Sequence, residues 1–349
     1  MSMTDKEKRS IQNLVPYTVA PRDQDNQAIY LDANENPYPR EYRLSNKYFN
    51  RYPEPQPKAL LESYAQYAGV QPENLLVSLG GDEAIKLIIE AFCNDEDAIL
   101  FSPPTFGMYA IDSYVVGSKV LEAPLTADFQ VNVPEFLSAA QNAKVVFICS
   151  PNNPTGNLMK VTDIEAVLNG VSEQTIVVLD EAYIEFSNRE SFAARLAEFP
   201  NLAIIRTLSK AFGVAGIRCG FTIANADLIQ SLQKVIAPYP MPMPVVEIAE
   251  QTLSKEGIEY MRTAVKQINQ NKAAFITALS SLPLVKKIHP SDANFILVEM
   301  TNAEKVHEYL KSEHIYVKKQ SGQLNNCLRI SIGTEQEMRR VIQVLSNYS

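Results

Sequence analysis

The stretch Ala203-Ile-Ile-Arg-Thr-Leu-Ser-Lys-Ala-Phe-Gly-Val-Ala-Gly-Ile-Arg-Cys-Gly220 decides how this chain is read. A mostly apolar run ends at Thr207 and passes straight into small residues that carry Lys210 and Arg218. A strand that is apolar at successive rather than alternate positions is covered on both faces, the pattern of a buried parallel sheet. Six further segments read as strands: 74–79, 98–101, 119–123, 145–149, 175–179 and 219–223. Longer amphipathic stretches separate most of them. After Gly80-Gly81, for instance, Ile85, Ile88, Ile89 and Phe92 recur at helical spacing. Strands alternating with helices predict an α/β fold, a mainly parallel seven-stranded sheet covered by helices.

The segment Ala237-Pro-Tyr-Pro-Met-Pro-Met-Pro244 breaks this rhythm. Prolines at alternate positions suit neither a helix interior nor a central strand, so it reads as an extended domain junction. Beyond it come a long helical stretch over 245–282 and strands near 295–299 and 328–332, forming a smaller α+β domain. The expected division is a large domain over 29–244 and a small one from 1–28, an N-terminal arm, and 245–349.

The formal net charge of the 349 residues is -8, with no long basic stripe, which argues against nucleic acid as a partner. No uncharged apolar run approaches the roughly 18 residues of a membrane span, and the first residues lack the apolar core of a signal peptide. Cys93, Cys149, Cys219 and Cys327 lie far apart among apolar neighbours, which suggests buried, reduced thiols and a cytoplasmic setting. His289, His307 and His314 have no metal-ligand spacing and no nucleophile beside them.

The chemistry-bearing residues follow the strands. A lysine directly after a buried strand loses hydration, which lowers its pKa and favours the neutral amine of Schiff-base chemistry. Thr207, Ser209 and Arg218 around Lys210 could together hold a phosphate. Asp180 closes the apolar run Thr175-Ile-Val-Val-Leu-Asp180, at the edge where ligands bind in open α/β folds. It is either a helix cap or the partner of a cation such as a protonated pyridine nitrogen. The string Cys149-Ser-Pro-Asn-Asn-Pro-Thr-Gly156 makes a rigid turn presenting Asn153. Gly81 and Asp82 begin a helix, where free backbone N–H groups attract an anion, although Asp82 could serve as a cap. Phe106, in Phe101-Ser-Pro-Pro-Thr-Phe-Gly-Met-Tyr109, reads equally as a stacking ring or a core side chain.

In this order, these strings resemble the fold-type-I aminotransferases over almost the whole chain. Asn13-Leu-Val-Pro-Tyr17, Leu31-Asp-Ala-Asn-Glu-Asn-Pro-Tyr38, Arg51-Tyr-Pro-Glu54 and Asn326-Cys-Leu-Arg-Ile-Ser-Ile-Gly-Thr334 are particularly similar to the histidinol-phosphate aminotransferases. The resemblance implies pyridoxal 5'-phosphate joined to Lys210, which also carries the proton. It pairs Asp180 with the pyridine nitrogen, and Asn153 and Tyr183 with the phenolic oxygen. Phe106 takes the ring-stacking place, where many relatives have tyrosine. Gly81, Asp82, Thr207, Ser209 and Arg218 take the phosphate. Tyr52 reaches that phosphate from a neighbouring subunit, which implies a homodimer. Arg329 grips the acidic end of the substrate, with Tyr17, Asn34 and Lys318 on the substrate side. The implied reaction is transamination between L-histidinol phosphate and 2-oxoglutarate. One departure is Lys318, where relatives often carry an arginine; Lys319 beside it could supply compensating charge. A broad-specificity aromatic aminotransferase and a pyridoxal-phosphate decarboxylase of amino-acid phosphates are the alternative activities.

Overall fold

The computed structural model describes residues 6–12, 14–15 and 28–348, so Tyr17 lies outside the described residues. Its strands fall into two sheets. The larger has seven: β2 (Leu75–Ser78), β3 (Ala98–Phe101), β4 (Lys119–Glu122), β5 (Val145–Cys149), β6 (Ile176–Asp180), β7 (Leu202–Thr207) and β8 (Gly220–Ala224). Their spatial order is β2-β8-β7-β6-β5-β3-β4. Only β8 runs against its neighbours β2 and β7. The carboxyl ends of the other six strands therefore share one edge with the start of β8.

The continuous apolar strands are explained by what covers them. Along β5, Val146 and Ile148 enter one hydrophobic cluster while Val145, Phe147 and Cys149 enter another on the opposite face. In β7, Leu202 and Ile204 likewise part from Ala203 and Ile205. The helix Gly80–Phe92 lays Ile85, Ile88 and Ile89 on the second face, all at most 1% exposed. Each such burial stabilises by about 1.5–3 kcal/mol.

The smaller sheet comprises β1 (Ile29–Leu31), β9 (Val285–Ile288), β10 (Phe295–Met300), β11 (Ile315–Lys319) and β12 (Cys327–Ser331), ordered β1-β11-β12-β10-β9. It corrects three expectations. Strand β1 pairs in parallel with β11, Ile29 opposite Ile315, so residues 29–31 belong with the smaller sheet rather than the larger one. The proline segment bends at Pro238, Tyr239 and Met241 and stays outside helices and strands only as far as Pro242, because Met243 and Pro244 open the helix Met243–Leu253. Proline is tolerated there, since first-turn N–H groups have no intrahelical acceptor. The single helical stretch over 245–282 is two helices. Ser254 separates them and caps Lys255–Leu279 by accepting from the Gly257 N–H at 3.1 Å.

The turn after β2 lies so close to the start of β8 that a Cβ at Gly220 would sit 2.6 Å from the Gly80 carbonyl carbon and 2.7 Å from the Gly81 nitrogen. Backbone cannot yield as a flexible side chain can. Gly220→Ala should therefore lower stability by about 1–3 kcal/mol in thermal or urea melts, as overpacking does. Gly107→Ala, where nothing lies within 4 Å and φ is -69°, should stay within about 0.5 kcal/mol of the parent.

Candidate active site

At the shared carboxyl edge lies a cavity of about 530 Å³. It is walled by the ends of β5, β6 and β7, the start of the Gly80–Phe92 helix, the residues after β1, and two side chains of the smaller sheet. Lys210 enters it from the turn after β7, and its Nζ donates to the Ala33 carbonyl at 2.8 Å. Loss of hydration, aided by the positive charge of Arg329, pulls the Lys210 amine down to about 8. The neutral amine is thus accessible near physiological pH.

Asp180 ends β6 on the same sheet face as Cys149 and Ile205, which also line the cavity. It is 4% exposed; Oδ1 accepts from the Ala182 N–H at 3.0 Å and Oδ2 from the Tyr109 hydroxyl at 2.7 Å. Burial pushes its pKa up, and the Tyr109 hydrogen bond opposes that shift. A cation brought into the cavity would find a carboxylate whose desolvation it relieves. Nearby, the Tyr183 hydroxyl accepts from Asn34 Nδ2 at 3.1 Å and from Asn153 Nδ2 at 3.5 Å. Burial raises the Tyr183 pKa, so it remains a phenol able to donate. Phe106 lines the cavity and meets Tyr109 edge-on, with ring centroids 5.8 Å apart.

An oxyanion cradle occupies the β2/β7/β8 corner. The Gly80–Phe92 helix has no side-chain cap, leaving the first-turn N–H groups of Gly81 and Asp82 at the cavity. Thr207 Oγ1 lies 2.9 Å from Ser209 Oγ, which accepts from Arg218 Nη1 at 3.3 Å. Arg218 Nη2 reaches Asp82 Oδ2 at 3.0 Å. A Cβ at Gly80, whose φ is +83°, would come within 2.7 Å of Arg218 Nη2, so glycine leaves the guanidinium its place. Amides, hydroxyls and a fork-shaped cation are the donor set that suits a phosphate dianion.

Across the cavity, Arg329 on β12 donates from Nη1 to Asn153 Oδ1 at 2.6 Å and from Nη2 to the Asp32 carbonyl. Lys318 on β11 is its register partner and also lines the cavity. Like charges directly opposite on adjacent strands repel, and an anion between them would relieve that repulsion. Lys319 does not add to this pair: it forms an ion pair with Glu304 and does not line the cavity. Strand alternation sends consecutive side chains to opposite faces, so the expected compensation from Lys319 is absent. Tyr52 is 79% exposed, away from this cavity, and stacks on Tyr239 at 4.5 Å.

Residues 24–345 match the family described as aminotransferase class I and II. Histidinol-phosphate aminotransferase 1 of Pasteurella multocida is 50% identical over 347 residues, 99% of both chains. The chain is a class I and II aminotransferase. Its relatives at this level of identity are histidinol-phosphate aminotransferases, and it belongs with them. Among solved structures, the histidinol-phosphate aminotransferase of Sinorhizobium meliloti in complex with pyridoxal-5'-phosphate superposes with a TM-score of 0.86 at 23% identity, covering 98% of this chain and 96% of that one. The L-threonine-O-3-phosphate decarboxylase of Porphyromonas gingivalis gives 0.73 at 26% identity, covering 85% and 90%.

Of the site residues expected from sequence, the aminotransferase brings Lys210, Gly81, Asp82, Phe106, Asn153, Asp180, Tyr183, Thr207, Ser209, Arg218, Asn34, Arg329 and Lys318 to one cavity. Sequence reasoning missed the carbonyls of Asp32 and Ala33, which hold Arg329 and Lys210, and the Tyr109 hydroxyl on Asp180. Backbone acceptors carry no side-chain signal. Tyr109 stood within the string that singled out Phe106, but nothing local links it to a carboxylate 71 residues away. Among the described residues no cluster of His, Cys, Asp and Glu could hold a metal ion, and no helix is long and apolar enough to cross a membrane.

Because only the neutral amine is nucleophilic, labelling of Lys210 in cofactor-stripped protein by an amine-reactive reagent should rise with pH through a midpoint of about 8. Arg329→Gln removes a neighbouring positive charge and should move that midpoint upward. Mass-spectrometric quantification of the labelled peptide across a pH series measures both.

Proposed function

We propose that this aminotransferase moves the amino group of L-histidinol phosphate to 2-oxoglutarate in histidine biosynthesis, using pyridoxal 5'-phosphate, as a cytoplasmic homodimer. The observation that carries the reading is Lys210: an amine with its pKa drawn down to about 8, in one cavity with a buried carboxylate, an oxyanion cradle and an opposed pair of cations. The donor sets fit the cofactor part by part. Gly81, Asp82, Thr207, Ser209 and Arg218 would hold its phosphate. Asp180 would face its ring nitrogen, Asn153 and Tyr183 its phenolic oxygen, and Phe106 its ring. When bound, the cofactor supplies an electrophilic aldehyde and a ring that takes up electrons.

The protein's own groups do the remainder. Lys210 would bind the aldehyde through Nζ and, as a free amine, carry a proton from the substrate's α-carbon and later return one. Arg329 and Lys318 would take the phosphate of one substrate and the distal carboxylate of the other. A shared distal anion lets one pair serve both, whereas an aromatic amino acid offers its α-carboxylate and no distal anion. That contrast favours the phosphorylated amine over the aromatic amino acids. Asn34 would support the substrate side through its bond to Tyr183.

The exposed Tyr48, Phe49 and Tyr52 form an aromatic stretch suited to burial against a second copy, from which Tyr52 would reach the partner's phosphate cradle. Four buried free cysteines fit a reducing compartment.

Mixing purified enzyme with L-histidinol phosphate should bleach its violet absorbance, and 2-oxoglutarate should restore it. Equal response to phenylalanine, or release of carbon dioxide from an amino-acid phosphate, would overturn the substrate assignment. Lys210→Ala should lose turnover entirely. Arg329→Lys should raise KM for both substrates by roughly ten-fold or more, the scale of a lost charged hydrogen bond. Lys318→Arg should lower KM for histidinol phosphate in steady-state assays.

A further inference from the structure

Tyr109, itself outside the set proposed to hold the cofactor, touches two members of that set. Its hydroxyl donates to Asp180 Oδ2 at 2.7 Å, and its ring meets Phe106 edge-on at 5.8 Å and 85°. We propose that Tyr109 is a positioning residue for the cofactor, fixing through its hydroxyl the carboxylate that faces the ring nitrogen and through its ring edge the Phe106 side chain. This rests on the cofactor reading of the cavity.

Packing alone does not account for the hydroxyl. Tyr109 is fully buried, stacked on Phe147 with centroids 4.6 Å apart, and a phenylalanine would fill the same space. What phenylalanine could not supply is a donor to a carboxylate oxygen that is otherwise desolvated. The neighbouring Cys149 thiol turns to the Pro151 carbonyl at 3.4 Å, and the Ala182 N–H serves Oδ1. Among the described residues, Tyr109 is therefore the side-chain donor to Asp180. Burial and the Asp180 charge raise the Tyr109 pKa far above its ordinary value, so the phenol keeps its proton and its direction of donation across the working pH range. A donor aimed at a carboxylate favours the ionised form, the one able to pair with a protonated ring nitrogen. The edge contact couples this to the ring face: rotation of Tyr109 to a new acceptor would also release Phe106.

The test compares the parent enzyme with Tyr109→Phe, each loaded with pyridoxal 5'-phosphate. Y109F should still acquire violet absorbance, but bind the cofactor roughly ten- to a hundred-fold more weakly in a fluorescence titration, the range for a hydrogen bond to a charged group. The pH midpoint of the absorbance band should move up, because a less cationic ring lets the nitrogen linked to Lys210 keep its proton longer. The rate constant of the half-reaction with histidinol phosphate should fall, while that substrate's apparent Kd stays within about two-fold, since Arg329 and Lys318 are untouched. Cofactor affinity, band midpoint and rate all equal to the parent would overturn the proposal.

Adding Asp180→Asn separates action through the carboxylate from a general loss of packing. Equal cofactor affinity in D180N and D180N/Y109F supports the proposal; a further loss exceeding about three-fold in the double variant overturns it. Absence of violet absorbance in the parent enzyme would instead sink the cofactor reading itself.

Discussion

An amine and a carboxylate, each carried out of water by the ends of neighbouring strands, set the terms for everything else at this edge of the sheet. Lys210 loses hydration and its amine falls to about 8; Asp180 loses hydration and its carboxyl rises. The two shifts have one cause and opposite chemical consequences. One yields a neutral nucleophile, the other a carboxylate that gains from a cationic partner. Neither would survive on a surface loop. Both require a rigid wall, provided by β5, β6 and β7 with side chains buried on both faces.

The cradle beside them depends on the same wall in a different way. Its amides come from a helix whose apolar stripe is pinned to the sheet, and its guanidinium comes from the turn entering β8. The two meet because Gly80 and Gly220 leave no Cβ between them. Packing of the Gly80–Phe92 helix and the position of Arg218 are therefore one problem. A side chain added at Gly220 would displace the groups proposed to hold the phosphate as well as the strand.

The smaller sheet contributes differently, by reaching across. Arg329 on β12 is held by Asn153 from the larger sheet and by the backbone of Asp32 just after β1. Strand β1 is itself paired to β11, which carries Lys318. Arg329 and Lys318 are thus placed by contacts that tie the two sheets together, and the same contacts reach groups proposed for the cofactor: Ala33 accepts from Lys210, Asn153 from Arg329 and Tyr183 from Asn34.

Features written in local pattern can be read from the chain before it folds. Most strands of the larger sheet announce themselves as apolar runs because both of their faces are buried, whereas the edge strand β4, Lys119-Val-Leu-Glu122, is exposed at both ends. Lys210, Asp180 and Asn153 are legible because each follows such a run directly. The smaller sheet was half legible: β10 and β12 are buried and apolar, whereas Ile29-Tyr-Leu31 and Val285-Lys-Lys-Ile288 are short or partly exposed, too weak to signal a strand without the partner that completes them. Only the tertiary structure could decide that Lys319 turns to Glu304 while Lys318 faces Arg329. It alone brought the Tyr109 hydroxyl to Asp180 and enlisted the Ala33 and Asp32 carbonyls. These are contacts between residues far apart in the chain, and no short-range pattern encodes a distance that exists only once the sheets have closed around it.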